Sequence, residues 1–568
     1  MKSFSFLFVL LLSLSVVSHA QEGAYLSGNL ELNGNFFQTD STIGAFNTPQ
    51  YDRQLYSADA WLQLNYSYKG FDVGLRFDLF NNSNLLNPQG SYNDQGIGRW
   101  YIKKQVNKLG ISVGYLYDQV GSGIIFRAYE QRPLLIDNAL FGARLTYDIL
   151  PDWQIKAFTG RQKRQFDLYG SVVRGISFDG FLNGGEGDKA WSMAPGFGVV
   201  SRTLDDGTMN VIVGTINTYA VADSIVPKYN THAISVYNTL TFGNFSWYIE
   251  GAFKTEETYF DPFALKASRV DTTFTVGKLV SNIGTVFYTN IGYAADGLGI
   301  SLEAKRTEGF SYRPDPLQIG NQGLLNFLPP MSRINTYRLL ARYTPATQDL
   351  GEQALQLDIR YSPTRKLSFN LNGSYIGTLN EDRGVLKRNT LLYWEMFTEV
   401  VYKYKRKWQL LGGLQMQEYN QDVYLTKPGK DNIRTITPYA EFLYKFSRKK
   451  SLRAELQYMH TRQDFGSWIF AQAEFSIAPH WSFAISDMYN VDPNDSKNEE
   501  NKNDAAPVNS AGEFLKVHYP RVDVFYTYKA NRFSLSYVKQ VEGIVCAGGI
   551  CRLEPAFSGV KATLQSTF

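Results

Sequence analysis

The chain has 568 residues, of which 15% are aromatic and 19% are Asp, Glu, Lys or Arg. Its formal net charge of +4 is too small for this length to predict a nucleic-acid partner. Because charged residues are scarcer than the roughly 25% of soluble domains and aromatic residues favour half-buried strands, the composition indicates an all-β protein.

The first 20 residues have the three parts of a secretory signal peptide. Lys2 supplies a positive charge, an apolar run follows, and Ser18-His19-Ala20 forms a small-x-small cleavage site. We therefore predict a signal peptide over residues 1–20 and a mature chain over residues 21–568. Beyond the signal, no stretch approaches the ~18 apolar residues that indicate a membrane helix, so any membrane span has to be built from strands.

Apolar and polar side chains alternate from one end of the mature chain to the other. In the first predicted strand, Leu26, Leu30 and Leu32 lie on one face, whereas Asn29 and Glu31 lie on the other. A period of two is typical of strands whose faces meet different environments. The predicted fold is an antiparallel up-and-down transmembrane β-barrel, with one face toward lipid and the other toward the lumen.

Short turns and long polar segments alternate along the chain, as expected when one rim of a barrel is periplasmic and the other is extracellular. The predicted short turns are residues 69–70, 107–108, 151–152, 205–207, 243–244, 295–297, 363–365, 405–406, 448–450, 479–480 and 530–531. The long segments include residues 38–56, 81–98, 118–139, 162–190 and 490–517. When residues 310–352 are taken as one long extracellular excursion, the pattern predicts about 24 strands, within a range of about 22 to 26.

Aromatic residues flank many of the predicted short turns. Tyr404 and Trp408 enclose one turn, and Tyr528 and Phe533 enclose another. Rings that recur at one height are typical of the aromatic girdle at a membrane surface. A soluble β-sandwich would also alternate apolar and polar residues, but it has no reason to repeat such a ring. The sequence therefore predicts an integral protein of the outer membrane of a Gram-negative bacterium.

Charges of both signs are predicted to face the lumen, among them Arg76, Asp78, Glu303 and Lys305. They suit either the wall of a water-filled channel or ion pairs with loops that fill the barrel. Barrels of about 22 strands enclose a plugged lumen, and the first strand begins too close to the cleavage site for an N-terminal plug domain. We therefore expect loops or a partner chain to fill the lumen, with residues 119–139 and 310–352 as the candidate loops.

The segment from Gly121 to Asn138 is unusually apolar for an extracellular loop. Its large apolar side chains need cover from water, which an inward fold would provide while its charged side chains pair with lumen charges. The alternative is that the segment packs on neighbouring extracellular loops without entering the barrel. The predicted lumen constriction comprises Ile124, Ile125, Phe126, Arg127, Glu130 and Arg132.

The two cysteines, Cys546 and Cys551, lie close together in a chain that is expected to pass through the oxidising periplasm. We predict that they form a disulfide in the last extracellular loop, around the turn at residues 547–549. Free thiols or a metal are the alternatives, although zinc would need further ligands and no His or third Cys is near in sequence. No cofactor is expected.

Two segments resemble those of a Bacteroidota family of outer-membrane proteins whose function is unassigned. They are Gly121 to Asn138, which contains GSGIIFRAYEQRP, and Val545 to Gly559, which reads VCAGGICRLEPAFSG. The similarity extends through most of the mature chain, but only these two stretches are distinctive. The resemblance implies a barrel fold and a Bacteroidota outer membrane, and it supplies neither a substrate nor catalytic residues.

Histidine is scarce, and the sequence has no G-x-S-x-G, glycine-rich phosphate-binding or H-E-x-x-H motif, so we expect no enzymatic activity. Two classes of function remain open. The first is a channel or transporter for an unidentified solute, occluded by its own loops. The second is a non-conducting barrel that acts as a structural or partner subunit of an outer-membrane assembly. The expected partners are the lipid bilayer and, in the second case, other proteins.

Overall fold

The alternating segments form 24 strands, which close into an antiparallel barrel in the computed structural model. The structure describes residues 23–269, 273–493, 507–508, 513–547 and 550–568, so the predicted signal peptide lies outside it. In chain order, strands β1 to β24 are Tyr25–Phe37, Tyr56–Tyr68, Phe71–Ser83, Tyr92–Val106, Leu109–Leu116, Leu140–Leu150, Trp153–Arg164, Val172–Gly180, Trp191–Thr203, Asn230–Phe242, Phe245–Ala267, Phe274–Ala295, Leu298–Glu308, Gly351–Thr364, Leu367–Gly377, Leu391–Tyr404, Trp408–Tyr419, Ile433–Lys445, Lys450–Met459, Ser467–Ile477, Trp481–Asp492, His518–Tyr528, Asn531–Gln540 and Phe557–Thr567.

Shorter elements lie in the connections between these strands. In the described part of the chain, the α-helices are α1, Asp206–Ile216, and α2, Gln421–Tyr424. Single-turn helices of other types span Ser41–Ile43, Gln50–Gln54, Arg132–Leu134, Gly187–Lys189 and Val221–Asp223. Short strands span Asp118–Val120, Phe126–Ala128, Glu130–Gln131, Ile136–Asp137, Asp167–Leu168, Leu182–Gly184, Gly543–Ala547 and Ile550–Glu554. No helix in the described part of the chain is both long and apolar enough to cross a membrane.

Each barrel strand pairs with its neighbours in sequence, and the last strand returns to the first. β24 pairs antiparallel with β1, where Leu564 lies opposite Leu32. The first and last strands thus place both ends of the described chain at the rim that carries the short turns, which we call the short-turn rim. The opposite rim is the long-loop rim. The predicted fold class and the predicted number of about 24 strands are confirmed.

The short turns follow from local backbone preferences. In the two-residue turn between β2 and β3, Lys69 and Gly70 both have positive φ, at 46° and 74°. This type of turn matches the right-handed twist of the strands that it joins, and glycine enters the region without steric cost. Asn107, Lys405 and Lys529 have the same left-handed backbone in other turns at this rim.

Two of the predicted connections are wrong. Residues 205–207 are not a short turn, because Asp205 caps α1 by accepting a hydrogen bond from the Thr208 backbone N–H in the long connection from β9 to β10. Residues 162–190 are not one loop, because they contain β8. An aspartate that caps a helix and an aspartate that begins a turn look alike in sequence. The two errors offset each other, so the strand count is unaffected.

The barrel is apolar outside and polar inside. Leu355, Ile485 and Leu535 point outward and are 49%, 61% and 56% exposed. Charged and polar side chains at inward positions are buried instead, such as Glu250 and Lys254, both at 0%. This arrangement inverts that of a soluble protein and suits a wall that lies between lipid and a filled lumen.

Aromatic rings gather at the short-turn rim. The rings of Tyr404 and Trp408 lie 5.4 Å apart, and those of Trp481 and Tyr526 lie 4.5 Å apart. Their position next to the turns matches the predicted girdle, in which amphipathic rings mark the boundary between lipid and water.

Candidate functional site

Two long connections fold into the lumen of the barrel. Residues 117–139 join β5 to β6 and are the first plug segment, whereas residues 309–350 join β13 to β14 and are the second plug segment. Both make hydrogen bonds or ion pairs with inward-facing side chains of the wall. The described residues of these segments lie close to the predicted limits, 119–139 and 310–352.

The apolar part of the first plug segment is sealed from water. Ile124, Ile125 and Phe126 are each at most 1% exposed. Phe126 stacks on Phe158 of β7, with 4.6 Å between the ring centroids. The turn that precedes them is fixed at Glu250 of β11, which accepts hydrogen bonds from the backbone N–H and hydroxyl of Ser122. The segment therefore contacts the wall at strands that are well separated in the barrel.

A charged network holds the other end of this segment. Arg76 of β3 is 1% exposed at its side chain and contacts Asp78 at 2.6 Å, Asp137 at 2.5 Å and Glu130 at 2.9 Å. Lys163 of β7 forms a second ion pair with Asp137. Although burial disfavours a charged carboxylate, Lys163 and Arg76 outweigh it and lower the pKa of Asp137 from 3.8 to about 2.

The remaining charged residues of the predicted constriction differ in their partners. Arg132 pairs with Glu31 of β1 at 2.8 Å and with Glu130 at 2.7 Å. Arg127 was expected to pair with a lumen charge, but its guanidinium instead lies over the rings of Tyr129 and Phe327, 4.7 and 4.2 Å from their centroids. Aromatic faces attract guanidinium groups, so rings of the plug satisfy this cation.

The two plug segments form one body. The backbone N–H of Arg127 donates to the carbonyl of Leu325 at 2.8 Å, and the N–H of Phe327 donates to the carbonyl of Gly123 at 2.9 Å. The Asn138 side chain also donates to the carbonyl of Leu324. Movement of one segment therefore requires that the other moves or that these hydrogen bonds break.

The second plug segment is anchored on both sides of the wall. The backbone N–H of Leu339 donates to Gln457 of β19 at 2.8 Å, and the Tyr343 hydroxyl donates to the carboxylate of Asp464 at 2.9 Å. Near its start, Arg202 of β9 donates to the carbonyl of Arg313. The wall charges Glu395, Glu399 and Glu455 are all buried.

The plug leaves space on one side of the lumen. Three cavities of about 550, 430 and 310 Å³ lie along strands β19 to β24 and continue to β1 and β2. Arg338 of the second plug segment lines both larger cavities, and Glu554 lines both the largest and the smallest. The cavities therefore adjoin one another.

The sequence did not single out several cations that face this space. They are Arg338, Arg521, Arg532, Arg552 and Lys561. Arg338 stands in a proline-rich segment without periodicity, so no pattern showed which way its side chain points. The others belong to strands or a hairpin whose alternation was visible, but the side of the lumen left free by the plug was not.

The predicted disulfide between Cys546 and Cys551 is present. It joins the paired strands Gly543–Ala547 and Ile550–Glu554, while residues 548–549 of the predicted turn lie outside the described residues. Cys546 Sγ lies 3.3 Å from the carbonyl oxygen of Thr344, so the hairpin contacts the second plug segment. Within the ranges described above, no group of three or more His, Cys, Asp or Glu residues is placed to hold a metal ion.

A model described as a family of unknown function (DUF6029) matches residues 1–568, so the chain belongs to that family. No curated protein matches the chain. The predicted Bacteroidota origin stays a prediction.

Among solved structures, the chain is similar to a mutant of the ferric enterobactin receptor (PfeA) from Pseudomonas aeruginosa, at 8% identity and a TM-score of 0.42, covering 96% of this chain and 81% of that chain. It is similar to the P pilus usher (PapC) translocation pore, at 9% identity and a TM-score of 0.39, covering 95% and 99%. It is also similar to OccAB4 of Acinetobacter baumannii, at 10% identity and a TM-score of 0.33, covering 73% and 97%. At such values the likeness bears on neither the substrate nor the mechanism of this chain.

Proposed function

We propose that this member of the DUF6029 family is an outer-membrane channel or transporter for a small water-soluble solute, occluded by its own two plug segments. The observation that carries the proposal is the run of adjoining cavities that the plug leaves beside β19 to β24. An apolar outer face, an aromatic girdle and a polar interior support the placement in a membrane.

The cavities favour transport over a purely structural role. A barrel that served only as a scaffold would gain stability by closing this space, because protein interiors pack densely. Instead, charged and polar side chains line much of it, above all in the 430 Å³ cavity, and such groups keep a cavity hydrated. Each of the two larger cavities falls in the range of about 300–1,000 Å³ that small-molecule sites occupy.

The second candidate is a non-conducting subunit of an outer-membrane assembly. One observation favours it: Val221 and Val226, in the connection from β9 to β10, are 94% and 83% exposed at the long-loop rim. Exposed apolar residues at one place suit contact with a partner. The two candidates differ in whether the barrel passes current.

Purified full-length protein in planar bilayers tests the proposal. We expect discrete conductance steps in the wild type and larger steps when Ile124, Ile125 and Phe126 are all replaced by Ser. Each replacement removes buried packing worth about 2–5 kcal/mol, so the first plug segment loses its anchor on β7. Wall strands should still form, which heat-modifiable migration on a denaturing gel verifies.

The matched control replaces Val221 and Val226 by Ser, because these apolar side chains are exposed outside the lumen. The conductance of this double variant should equal that of the wild type. If the wild type and the triple variant both fold and neither passes current, the channel proposal is wrong and the partner-subunit candidate is favoured.

A further inference from the structure

We infer that the cavities beside the plug hold a binding site for a small anionic solute, one that carries carboxylate or phosphate groups. This inference rests on the proposed function and narrows the class of solute. Arg338 of the second plug segment is the central residue of the site, and Arg521 of β22 and Lys561 of β24 flank it.

The cavities bring these side chains together from separate elements. Arg338 and Arg521 line the same cavity of about 430 Å³. Lys561 lines the smaller cavity of about 310 Å³, together with Arg552 and Glu554 of the disulfide-bonded hairpin. Lys561 interacts electrostatically with Glu554 first, and then with Arg521 and Arg338, so these groups lie within range of one another.

The carboxylates around the 430 Å³ cavity already have partners. Arg453 pairs with Glu455 and also contacts Glu474 at 3.5 Å, and Arg521 binds Asp523 at 2.8 Å. In the neighbouring cavity, Arg552 pairs with Glu554 at 3.2 Å. The carboxylates of the 430 Å³ cavity are thus neutralised by cations of the wall, and Glu554 is neutralised by Arg552 of the hairpin.

Three cations remain without such a partner. Among the described residues, neither Arg338 nor Arg532 takes part in an ion pair, and the guanidinium of Arg532 lies over the Phe525 ring. Lys561 likewise lies over the Phe557 ring, 4.3 Å from its centroid, without a carboxylate contact. The residues that line the 430 Å³ cavity therefore include more cations than carboxylates.

Arg338 is held in an unusual setting for a cation. Protein surrounds the side chain, yet it is exposed to the cavity. Burial, and then the neighbouring cation Arg342, lower the pKa of Arg338. Glu554 opposes this shift and Arg521 adds to it, so the pKa is about 10 and the group is charged at neutral pH. An anion entering the cavity would relieve the repulsion among these cations. A planar guanidinium that is free of other partners can bind a carboxylate or a phosphate through two parallel hydrogen bonds.

Binding is tested first with sodium pyrophosphate as the probe, titrated calorimetrically into the detergent-solubilised full chain. We expect Arg338→Gln to weaken pyrophosphate binding by at least about tenfold, the usual effect of losing a charged hydrogen bond. Arg338→Lys should lose less, because it keeps the charge. The control Lys387→Gln removes the same charge from a side chain that is 71% exposed in the β15–β16 loop.

Ion selectivity in planar bilayers provides the second readout. Under a potassium chloride gradient, the wild type should prefer chloride over potassium, and Arg338→Gln should reduce that preference while Lys387→Gln leaves it unchanged. A conducting barrel whose selectivity and pyrophosphate binding are both insensitive to Arg338→Gln overturns the anion site and leaves the channel intact. A silent barrel that binds pyrophosphate through Arg338 overturns the proposed function and leaves the anion site standing.

Discussion

Arg76 shows how single residues hold the plug in place. Its guanidinium contacts one carboxylate of its own strand and two of the first plug segment, and it has almost no contact with water. A buried cation of this kind is costly unless it is fully paired, and removing one partner leaves the others uncompensated. The docked position of the plug is therefore the position in which these charges are satisfied.

This network gives the plug a defined response to acid. The pKa of Asp137 is lowered to about 2 in the folded protein, against an ordinary value of 3.8. The docked state therefore binds fewer protons than an undocked state, so its stability is fully present above about pH 4 and is lost as the pH falls toward 2. We expect bilayer conductance to be constant from pH 7 to about pH 4 and to rise below it.

The variant Asp137→Asn isolates this carboxylate from other acidic groups. It should conduct more than the wild type at neutral pH, since Lys163 and Arg76 lose a partner, and it should respond less to acid. A wild-type transition centred above pH 5, or an equal acid response in the variant, would show that Asp137 does not control docking.

At the scale of elements, the disulfide-bonded hairpin borders the largest of the three cavities. Its strands Gly543–Ala547 and Ile550–Glu554 pair with each other, and the structure gives them no pairing with the barrel wall. The disulfide closes a short loop and so restricts the unfolded chain only slightly. We expect it to add about 2 kcal/mol to the free energy of unfolding of the hairpin.

Replacing both cysteines by Ser should therefore loosen the hairpin without unfolding the barrel. We expect the variant Cys546→Ser/Cys551→Ser to keep its heat-modifiable migration and to become sensitive to trypsin at Arg552. Wild-type protein treated with dithiothreitol serves as the control and should be cut at the same place. Loss of the folded barrel, or continued resistance at Arg552, would contradict a local role for the bond.

Elements differ in how far the sequence could predict them. Strands such as β1 and β24 were predictable because lipid and lumen impose different polarity on alternate residues. Helix α1 was not, since Asp205 reads equally as a turn former and as a helix cap. The apolar run from Ile124 to Phe126 signalled burial, but Phe327, one of the two ring partners of Arg127, lies near it only after folding.

At the scale of the whole molecule, the plug is the core of the barrel. Buried apolar residues of both plug segments, including Ile124, Phe310 and Leu325, pack in one cluster with inward residues of the wall. The sequence predicted that a barrel of this size needs filling, because its charges and apolar loops had no other cover. The sequence could not predict that the plug leaves cavities on one side of the lumen, because the position of the plug depends on many contacts between residues that are distant in sequence.

The arrangement of the rims makes a prediction about orientation in the membrane. Long loops of outer-membrane barrels face the cell exterior and short turns face the periplasm, so the connection from β9 to β10 should be accessible on intact cells. The turn between β16 and β17 should not be. Val221→Cys and Arg406→Cys introduce single reactive thiols at exposed positions of these two connections, because the native cysteines are bonded to each other.

A membrane-impermeant maleimide should label Val221→Cys on intact cells, whereas Arg406→Cys should react only after the outer membrane is permeabilised. Both variants should react equally when the protein is purified in detergent, which controls for the reactivity of each thiol. Labelling of Arg406→Cys on intact cells would reverse the proposed orientation. If neither thiol reacts until the cells are broken, the protein does not span the outer membrane with its long loops outside. That result would contradict the proposal of an outer-membrane channel.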